Sequence, residues 1–345
     1  MGTADRRDEP PRGAQPAGVA LGLWQDREPL EALATARLAD RHGYAELWVG
    51  EMATFDAVAL ATAIGAATSR IALTLGPLAP SVRDPVAIAL GAASVRALTG
   101  RATNVALGAS SPVVVRRWHG REFGGTLPQL RDATAELRSL FGGGRSSGGY
   151  RLRLPSPGAS ITIAAFGPAT VRLAGRVADR MVVNLCTPEA TAELRAQLDL
   201  ACERAGRAPI TLAAWIPAAV EPTSEGLAQI RRGLVAYLGA PGYAAMFRAA
   251  GGTDVVAIAE RGAPPAEVLA RIPDGLVEAV SVTGDIASCR RRLAAYAAAG
   301  VDEVVLVPVT AGDDGGERTL EALAPRAPVP GPGVRPSPDT SGGSR

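Results

Sequence analysis

The stretch 103–125, TNVALGASSPVVVRRWHGREFGG, holds the residues best suited to chemistry. Its apolar start reads as a strand ending at Leu107, and the small residues Gly108-Ala109-Ser110-Ser111 follow. Small residues just past a strand leave backbone N–H groups uncovered, and such a concave run of donors accommodates a phosphate oxygen. Glu51, a carboxylate ending another apolar run, is placed to move a proton, or alternatively to pair with an arginine at a rim. His119 and Arg116-Arg117 lie beyond the loop. Their chemical readings are acid–base work and contact with an anion; their plainer ones are packing and solvated charge. No GxSxG surrounds Ser110-Ser111 and no partner histidine is evident, which disfavours a serine hydrolase.

Absences narrow the chemistry further. All 36 basic residues are arginine, so a Schiff-base lysine and a P-loop lysine are both excluded. The 2 histidines, His42 and His119, rule out an HExxH motif and histidine-rich metal sites. The 3 cysteines (Cys186, Cys202, Cys289) are widely spaced, with no zinc pattern, and read as free thiols of a reducing compartment. Side chains alone offer little redox chemistry here, which points to a bound organic cofactor and no metal. A net charge of +2 presents no basic face for nucleic acid. No run of 18 apolar residues suggests a membrane span, and the polar start is unlike a signal peptide; a cytoplasmic location is the expectation.

The elements that must position these residues follow from the periodicity. Residues 1–17 and 326–345 are Pro-, Gly- and Ser-rich or charged without a core-forming pattern, and read as disordered tails around a domain over 18–325. Within it, strands are predicted at 19–24, 46–51, 70–76, 103–108, 161–166, 181–186, 210–216 and 302–309. Helices are predicted between them, the first capped by Asp26 and the second starting at Asp56. Residues 217–275 read as helical but irregular. Eight apolar strands interleaved with helices indicate parallel pairing buried on both faces. The expected fold is therefore an α/β (β/α)8 TIM barrel with an irregular helical insertion before the last strand. No GxGxxG follows the first strand, against a dinucleotide-binding open sheet. In such a barrel the strand C-termini carry the site, which brings Trp24, Glu51, Gly76-Pro77, Gly108–Ser111, Phe166-Gly167 and Asn184 to one mouth. Trp24 is read as a wall of a substrate pocket, and Trp215 as a wall or a filler of the barrel.

Several strand ends resemble the luciferase-like monooxygenase superfamily, in particular its coenzyme F420-dependent oxidoreductase branch. The matching pieces are GYAELWVGEMATFDA, LTLGPLAPSVRDP, ALGASSPVVVRRWHG, AAFGPATVRLAGRVADRMVVNLCTP and AAYAAAGVDEVVLVPV, spread over about 18–311. The resemblance implies a homodimeric barrel holding F420, or FMN in its oxygen-activating relatives, across the strand ends, with a small-molecule substrate. It implies that Gly108, Ser110 and Ser111 contact the cofactor, that amides of Ala165, Phe166 and Gly167 hold its phosphate, and that Asn184 lies beside them. It also implies a cis peptide after the third strand, here Gly76-Pro77, where proline lowers the cost of cis to about 0.5–1 kcal/mol. Glu51 falls where many members have an aspartate, and is the residue expected to touch the ring or handle a proton. Met52 stands where alcohol-oxidising members often carry histidine, which points toward reduction of an activated C=C or C=N bond. The function expected is hydride transfer between the deazaflavin and a small organic substrate. The alternatives are an FMN-dependent monooxygenase and a non-catalytic flavin-binding barrel.

Overall fold

The computed structural model describes residues 15–22, 26–51, 53–154, 156, 158–240 and 242–325. Strand and helix alternate through β1 (Pro16–Ala20), α1 (Glu31–Arg41), β2 (Glu46–Val49), α2 (Ala57–Ala67), β3 (Ala72–Leu78) and α3 (Pro85–Thr99). They continue through β4 (Thr103–Leu107), α4 (Thr126–Phe141), β5 (Ile161–Ala164), α5 (Pro168–Val177), β6 (Arg180–Asn184), α6 (Pro188–Arg204) and β7 (Thr211–Val220). An insertion of short helices follows: α7 (Ser224–Leu238), α8 (Ala244–Phe247), α9 (Thr253–Glu260), α10 (Pro265–Ala270) and α11 (Asp274–Ala279). Then come β8 (Val282–Gly284), α12 (Ile286–Ala298), β9 (Glu303–Pro308) and α13 (Glu317–Ala322).

All pairings are parallel, and the order β6-β5-β4-β3-β2-β1-β9-β7 is closed by β6 pairing with β7. The sheet is thus the expected eight-stranded TIM barrel, with the helical insertion ahead of its last strand. Two-residue alternation sorts its side chains. Val19, Leu47, Leu73, Val105, Ile163, Met181, Leu212 and Val304 face the helices. Ala20, Trp48, Ala106, Val182, Ala213, Trp215 and Val305 form a separate cluster filling the lumen. Side-chain caps start many helices: Asp56 accepts from the Val58 and Ala59 amides, Asp84 from Ala87, Thr187 from Ala190 and Asp285 from Ser288. Each such cap contributes about 1 kcal/mol. Gly100, in the left-handed region at φ 71°, ends α3.

Three details depart from the sequence expectation. β1 begins at Pro16, inside the segment assigned to a tail, and stops at Ala20 rather than 24. The cause is pairing: Gly18 and Val19 are in register with β2 on one side, and Val19 with Leu306 of β9 on the other. Asp26 does not cap α1; the cap position is Leu30, four residues on. Asp26 instead accepts from Gln229 and Arg232 of α7, anchoring the insertion to the first strand-to-helix loop. A ninth strand, β8, is added where the long β7 projects beyond the barrel, through Ala218, Ala219 and Val220. The sequence hides it, because only a three-residue strand separates two helices there.

The N-terminal end of the lumen is closed by charge. Arg180 donates to both oxygens of Glu46 (2.8 and 3.0 Å), to Glu303 (2.8 Å) and to the Thr162 hydroxyl (3.0 Å). Its guanidinium lies 4.3 Å over the Trp48 ring, and Trp48 meets Trp215 edge-on at 5.5 Å. A column of Arg180, Trp48 and Trp215 therefore runs up the barrel axis, so Trp215 belongs to the packed interior. The insertion has its own core of Ile230, Leu234, Leu238, Phe247, Val255, Val256 and Leu276, joined to the barrel through Leu185, Ala219 and Val309. Among the described residues no helix is long and apolar enough to cross a membrane.

Candidate functional site

The C-terminal ends of β3, β4 and β5 approach one another unusually closely. Gly76 has φ 122°, and the Gly76-Pro77 bond is cis, as expected. A Cβ on Gly76 would lie 2.2 Å from the Ala106 carbonyl oxygen, so only glycine fits. The pairing of β3 with β4 shifts there, from Leu75 opposite Val105 to Leu78 opposite Leu107, which is a bulge of one residue. Gly108 donates its amide to the Leu78 carbonyl (2.9 Å). A Cβ on Gly108 would come 2.9 Å from Pro77 Cβ and 3.6 Å from Ala164 Cβ. Gly76, Pro77 and Gly108 thus form one bare wall beside Ala164, with no side chain projecting from it beyond a methyl or a pyrrolidine ring.

Ser110 adopts φ 59°, a left-handed conformation uncommon outside glycine, and is exposed. Ser111 is engaged locally, its hydroxyl accepting from the Val114 amide (3.3 Å) and its carbonyl from Val115 (3.0 Å). These bonds start a π-helical turn, Val113–Trp118, where the sequence suggested only a loop. Val115 is its buried anchor, and Trp118, His119, Arg116 and Arg117 are exposed. Exposure agrees with solvated charge at Arg116 and Arg117, whereas the packing reading of His119 is not what its exposed side chain shows.

Beside this wall, the turn after β5 leads into α5. The Ala165 amide donates to the Val182 carbonyl (3.1 Å), so it is not an open donor; this corrects the expectation that it helps hold a phosphate. The β5–β6 ladder continues one residue past Ala164, within the strand expected over 161–166. Among the described residues, the amides of Phe166 and Gly167 meet no protein acceptor. Gly167 is the N-cap of α5, its carbonyl accepts from Thr170 and Val171, and Pro168 follows at the first helical position. Two open amides at a helix N-terminus favour an anion. Asn184 ends β6 opposite Trp215 and, by alternation with Arg180 and Val182, faces the lumen.

Glu51 takes the rim position. Arg83, on the loop after β3, donates to Glu51 (2.9 Å) and to Asp56 (2.5 Å). Burial pushes the Asp56 carboxyl up, but Arg83 and the first amides of α2 outweigh it and hold it below the usual value. One Glu51 oxygen is therefore occupied by an ion pair while the side chain stays 27% exposed. Trp24 and Met52 lie outside the described residues. A shallow cleft open to solvent is lined by Gly22, Arg27, Glu31, Thr54 and Thr310. Arg27 grips Glu31 at 3.1 and 2.7 Å. Against the upward push of burial, this contact keeps the Glu31 carboxyl below its ordinary range.

The insertion supplies aromatic residues that the sequence pattern did not single out. Phe166 stacks on Tyr243 with centroids 4.2 Å apart and planes 25° from parallel; Tyr243 in turn meets Tyr237 (5.3 Å) and Phe247 (5.7 Å). Burial raises the Tyr243 phenol well above its ordinary value, and Tyr237 likewise, with Asn184 partly opposing the latter. Both remain neutral. The available signal was composition: in a chain with 4% aromatics, Tyr237, Tyr243 and Phe247 fall close together in an irregular region. Cys186, Cys202 and Cys289 are all buried and unpaired. Among the described residues no group of three or more His, Cys, Asp or Glu is placed to hold a metal ion.

Comparison with known proteins follows the same lines. A sequence profile described as luciferase-like monooxygenase matches residues 11–303. A Mycobacterium tuberculosis protein named as a coenzyme F420-dependent oxidoreductase is 27% identical over 342 residues, covering 89% of this chain and 98% of that protein. Among solved structures, the F420-dependent tetrahydromethanopterin reductase of Methanopyrus kandleri superposes with a TM-score of 0.76 at 18% identity, covering 90% of this chain and 97% of its own. The oxygenating constituent of Pseudomonas putida 3,6-diketocamphane monooxygenase, in complex with FMN, gives 0.66 at 17% identity, with 90% and 97% covered. At these identities the structural likenesses establish the fold.

Proposed function

Because the chain belongs to the luciferase-like monooxygenase family, we propose that it is an oxidoreductase that uses coenzyme F420 to transfer a hydride to or from a small organic substrate. The observation that carries the reading is the bare wall of Gly76, Pro77 and Gly108 together with two open amides at the start of α5, on the neighbouring strand end. A flat heterocycle needs a surface without projecting side chains, and a phosphate needs unpartnered N–H donors; the mouth offers both. The similarity to a protein named as F420-dependent supports this cofactor over FMN.

The residues would divide the work as follows. Gly76, Pro77 and Gly108 would back the ring. Phe166 and Gly167 would hold the phosphate through their amides, while Ser110 and Ser111 border it from β4. Asn184 offers a carboxamide at the lumen end, beside its register partner Trp215 on β7. When bound, the deazaflavin supplies a two-electron hydride donor or acceptor. Glu51, with Arg83 holding one oxygen, keeps its other oxygen for a ring N–H or for a proton at the substrate. The protein is further proposed to be a homodimer. In support, α2 carries no charged residue, α3 carries only Arg96, and Leu90 and Leu98 of α3 stand exposed. Light scattering of the eluted protein would give the mass of two chains.

Titration of the purified protein with F420 and, separately, with FMN tests the proposal. Saturable binding of F420, and oxidation of its reduced form by a panel of enones and imines, is expected. Tight FMN binding with oxygen uptake would replace it with the monooxygenase reading, and binding without turnover would make the barrel a carrier.

A further inference from the structure

The helix α7 crosses one side of the barrel mouth. In its first half, the buried Gln229 accepts from the amides of Thr310 (2.9 Å) and Ala311 (3.1 Å), just past β9. The same side chain donates to Asp26 (3.3 Å) in the loop after β1. Toward the end of α7, the Tyr237 hydroxyl meets the Asn184 carboxamide, which faces the lumen from the end of β6. The helix therefore runs from the β1–β9 side to β6, over the end of β7, and in the closed ring β7 lies opposite β3. Anything backed by Gly76-Pro77 on β3 turns its free face toward α7. Gln229, Gly233 and Tyr237 recur at intervals of four, so they share the face turned to the mouth. The middle position of that face carries no side chain, although glycine inside a helix costs about 1 kcal/mol relative to alanine. The Tyr237 ring packs on the core of the insertion, 5.3 Å from Tyr243, which fixes it without help from its hydroxyl.

We propose that Tyr237 and Asn184 receive the carbonyl oxygen of a conjugated enal or enone, seated in the gap that Gly233 leaves in α7. A phenol O–H and a carboxamide N–H side by side both donate to one oxygen. Among the described residues neither group is claimed by a further hydrogen bond. Burial keeps the phenol protonated at neutral pH, so it stays a donor. The inference rests on the hydride-transfer reading above, which supplies a reduced deazaflavin as the two-electron reductant. Hydride forms the new C–H bond at the far alkene carbon, and the C=C electron pair moves onto oxygen as an enolate held by the two donors. A proton from water then completes the near carbon as the carbonyl re-forms. Charge grows on the oxygen only during this step, where fixed donors act most strongly.

Dimethylaminocinnamaldehyde, a coloured enal whose absorption moves to the red when its oxygen accepts hydrogen bonds, probes the site without any cofactor. The wild type should bind it saturably with a red shift. Tyr237→Phe keeps the ring and its packing, and should weaken binding about tenfold and lose most of the shift; Asn184→Leu should do the same. Gly233→Leu should fill the gap and abolish binding. With reduced F420 and cyclohexenone, Tyr237→Phe should lower kcat about a hundredfold while the F420 dissociation constant stays within about twofold of wild type. Circular dichroism melts establish that each variant is folded. A Tyr237→Phe variant with the wild-type red shift or the wild-type kcat overturns the carbonyl site and leaves the hydride-transfer reading standing. If the wild type does not bind F420, the cofactor reading fails and the dye decides alone. A red shift lost in Tyr237→Phe then upholds the site, and no red shift in the wild type refutes it.

Discussion

Arg180 is the residue whose loss the structure lets one quantify best. It enters the lumen at the first position of β6, is 8% exposed, and neutralises two carboxylates from β2 and β9. Replacement by methionine keeps the aliphatic bulk near Trp48 and leaves Glu46 and Glu303 without their cation. The two are not equal. The Glu303 side chain is 33% exposed and solvent screens most of its share, whereas Glu46 is 12% exposed and has few other donors. Its remaining partners are the Thr74 hydroxyl and the Asn104 amide (3.1 Å). Stranding one buried carboxylate costs about 3–5 kcal/mol. Losing the cation over Trp48 adds about 1 kcal/mol, partly offset by methionine packing. A net loss of roughly 3–4 kcal/mol corresponds to about 5 °C in melting temperature for a domain of this size. The assay is urea unfolding of wild type, Arg180→Met and the triple variant that adds Glu46→Gln and Glu303→Gln. The triple variant should recover at least half of the lost stability, because a neutral amide is far cheaper to bury than a carboxylate. An Arg180→Met variant within about 1 kcal/mol of wild type, or a triple variant no better than it, refutes the reasoning.

Two further outcomes follow from individual carboxylates. Asp40, at the end of α1, accepts from the amides of Ser69, Arg70 and Ile71 and from the Ser69 hydroxyl, and these outweigh burial to hold its pKa below the ordinary 3.8. A depressed carboxylate contributes stability that is fully present above its unfolded pKa and is lost as pH falls through the lower folded value. Asp40→Asn should therefore cost about 1–3 kcal/mol at pH 7 and flatten the loss of wild-type stability below about pH 4, as read by urea midpoints across pH. Glu51→Gln retains an acceptor for Arg83 and removes the charge; turnover at saturating cofactor should fall at least tenfold while stability changes by less than about 1 kcal/mol. Unchanged turnover would assign Glu51 to the rim ion pair with Arg83 alone.

The amino-acid order was enough to determine the architecture. The apolar runs that became β5, β6 and β9 cannot be mistaken for surface, because a strand buried on both faces must be apolar at nearly every position; ITIAAF, MVVNLC and EVVLVP each meet that demand. Asp56 and Asp84 mark helix starts by local chemistry that needs no tertiary information. Gly76-Pro77 and Gly108 were legible for a related reason: glycine and proline report a backbone constraint wherever they sit. What only the folded chain decided is which groups are already engaged. Ala165 looks like a free amide until β6 supplies the Val182 carbonyl, Glu51 looks like a free acid until the loop after β3 supplies Arg83, and Ser111 looks like a ligand until the π-helical turn claims its hydroxyl. Asp26 reads as a cap and proves to be a tie to α7, 206 residues away along the chain. Tyr243 against Phe166 joins residues from separate cores. Such pairings depend on distances set by barrel closure and by the path of the insertion, and sequence periodicity carries no record of contacts between segments that far apart.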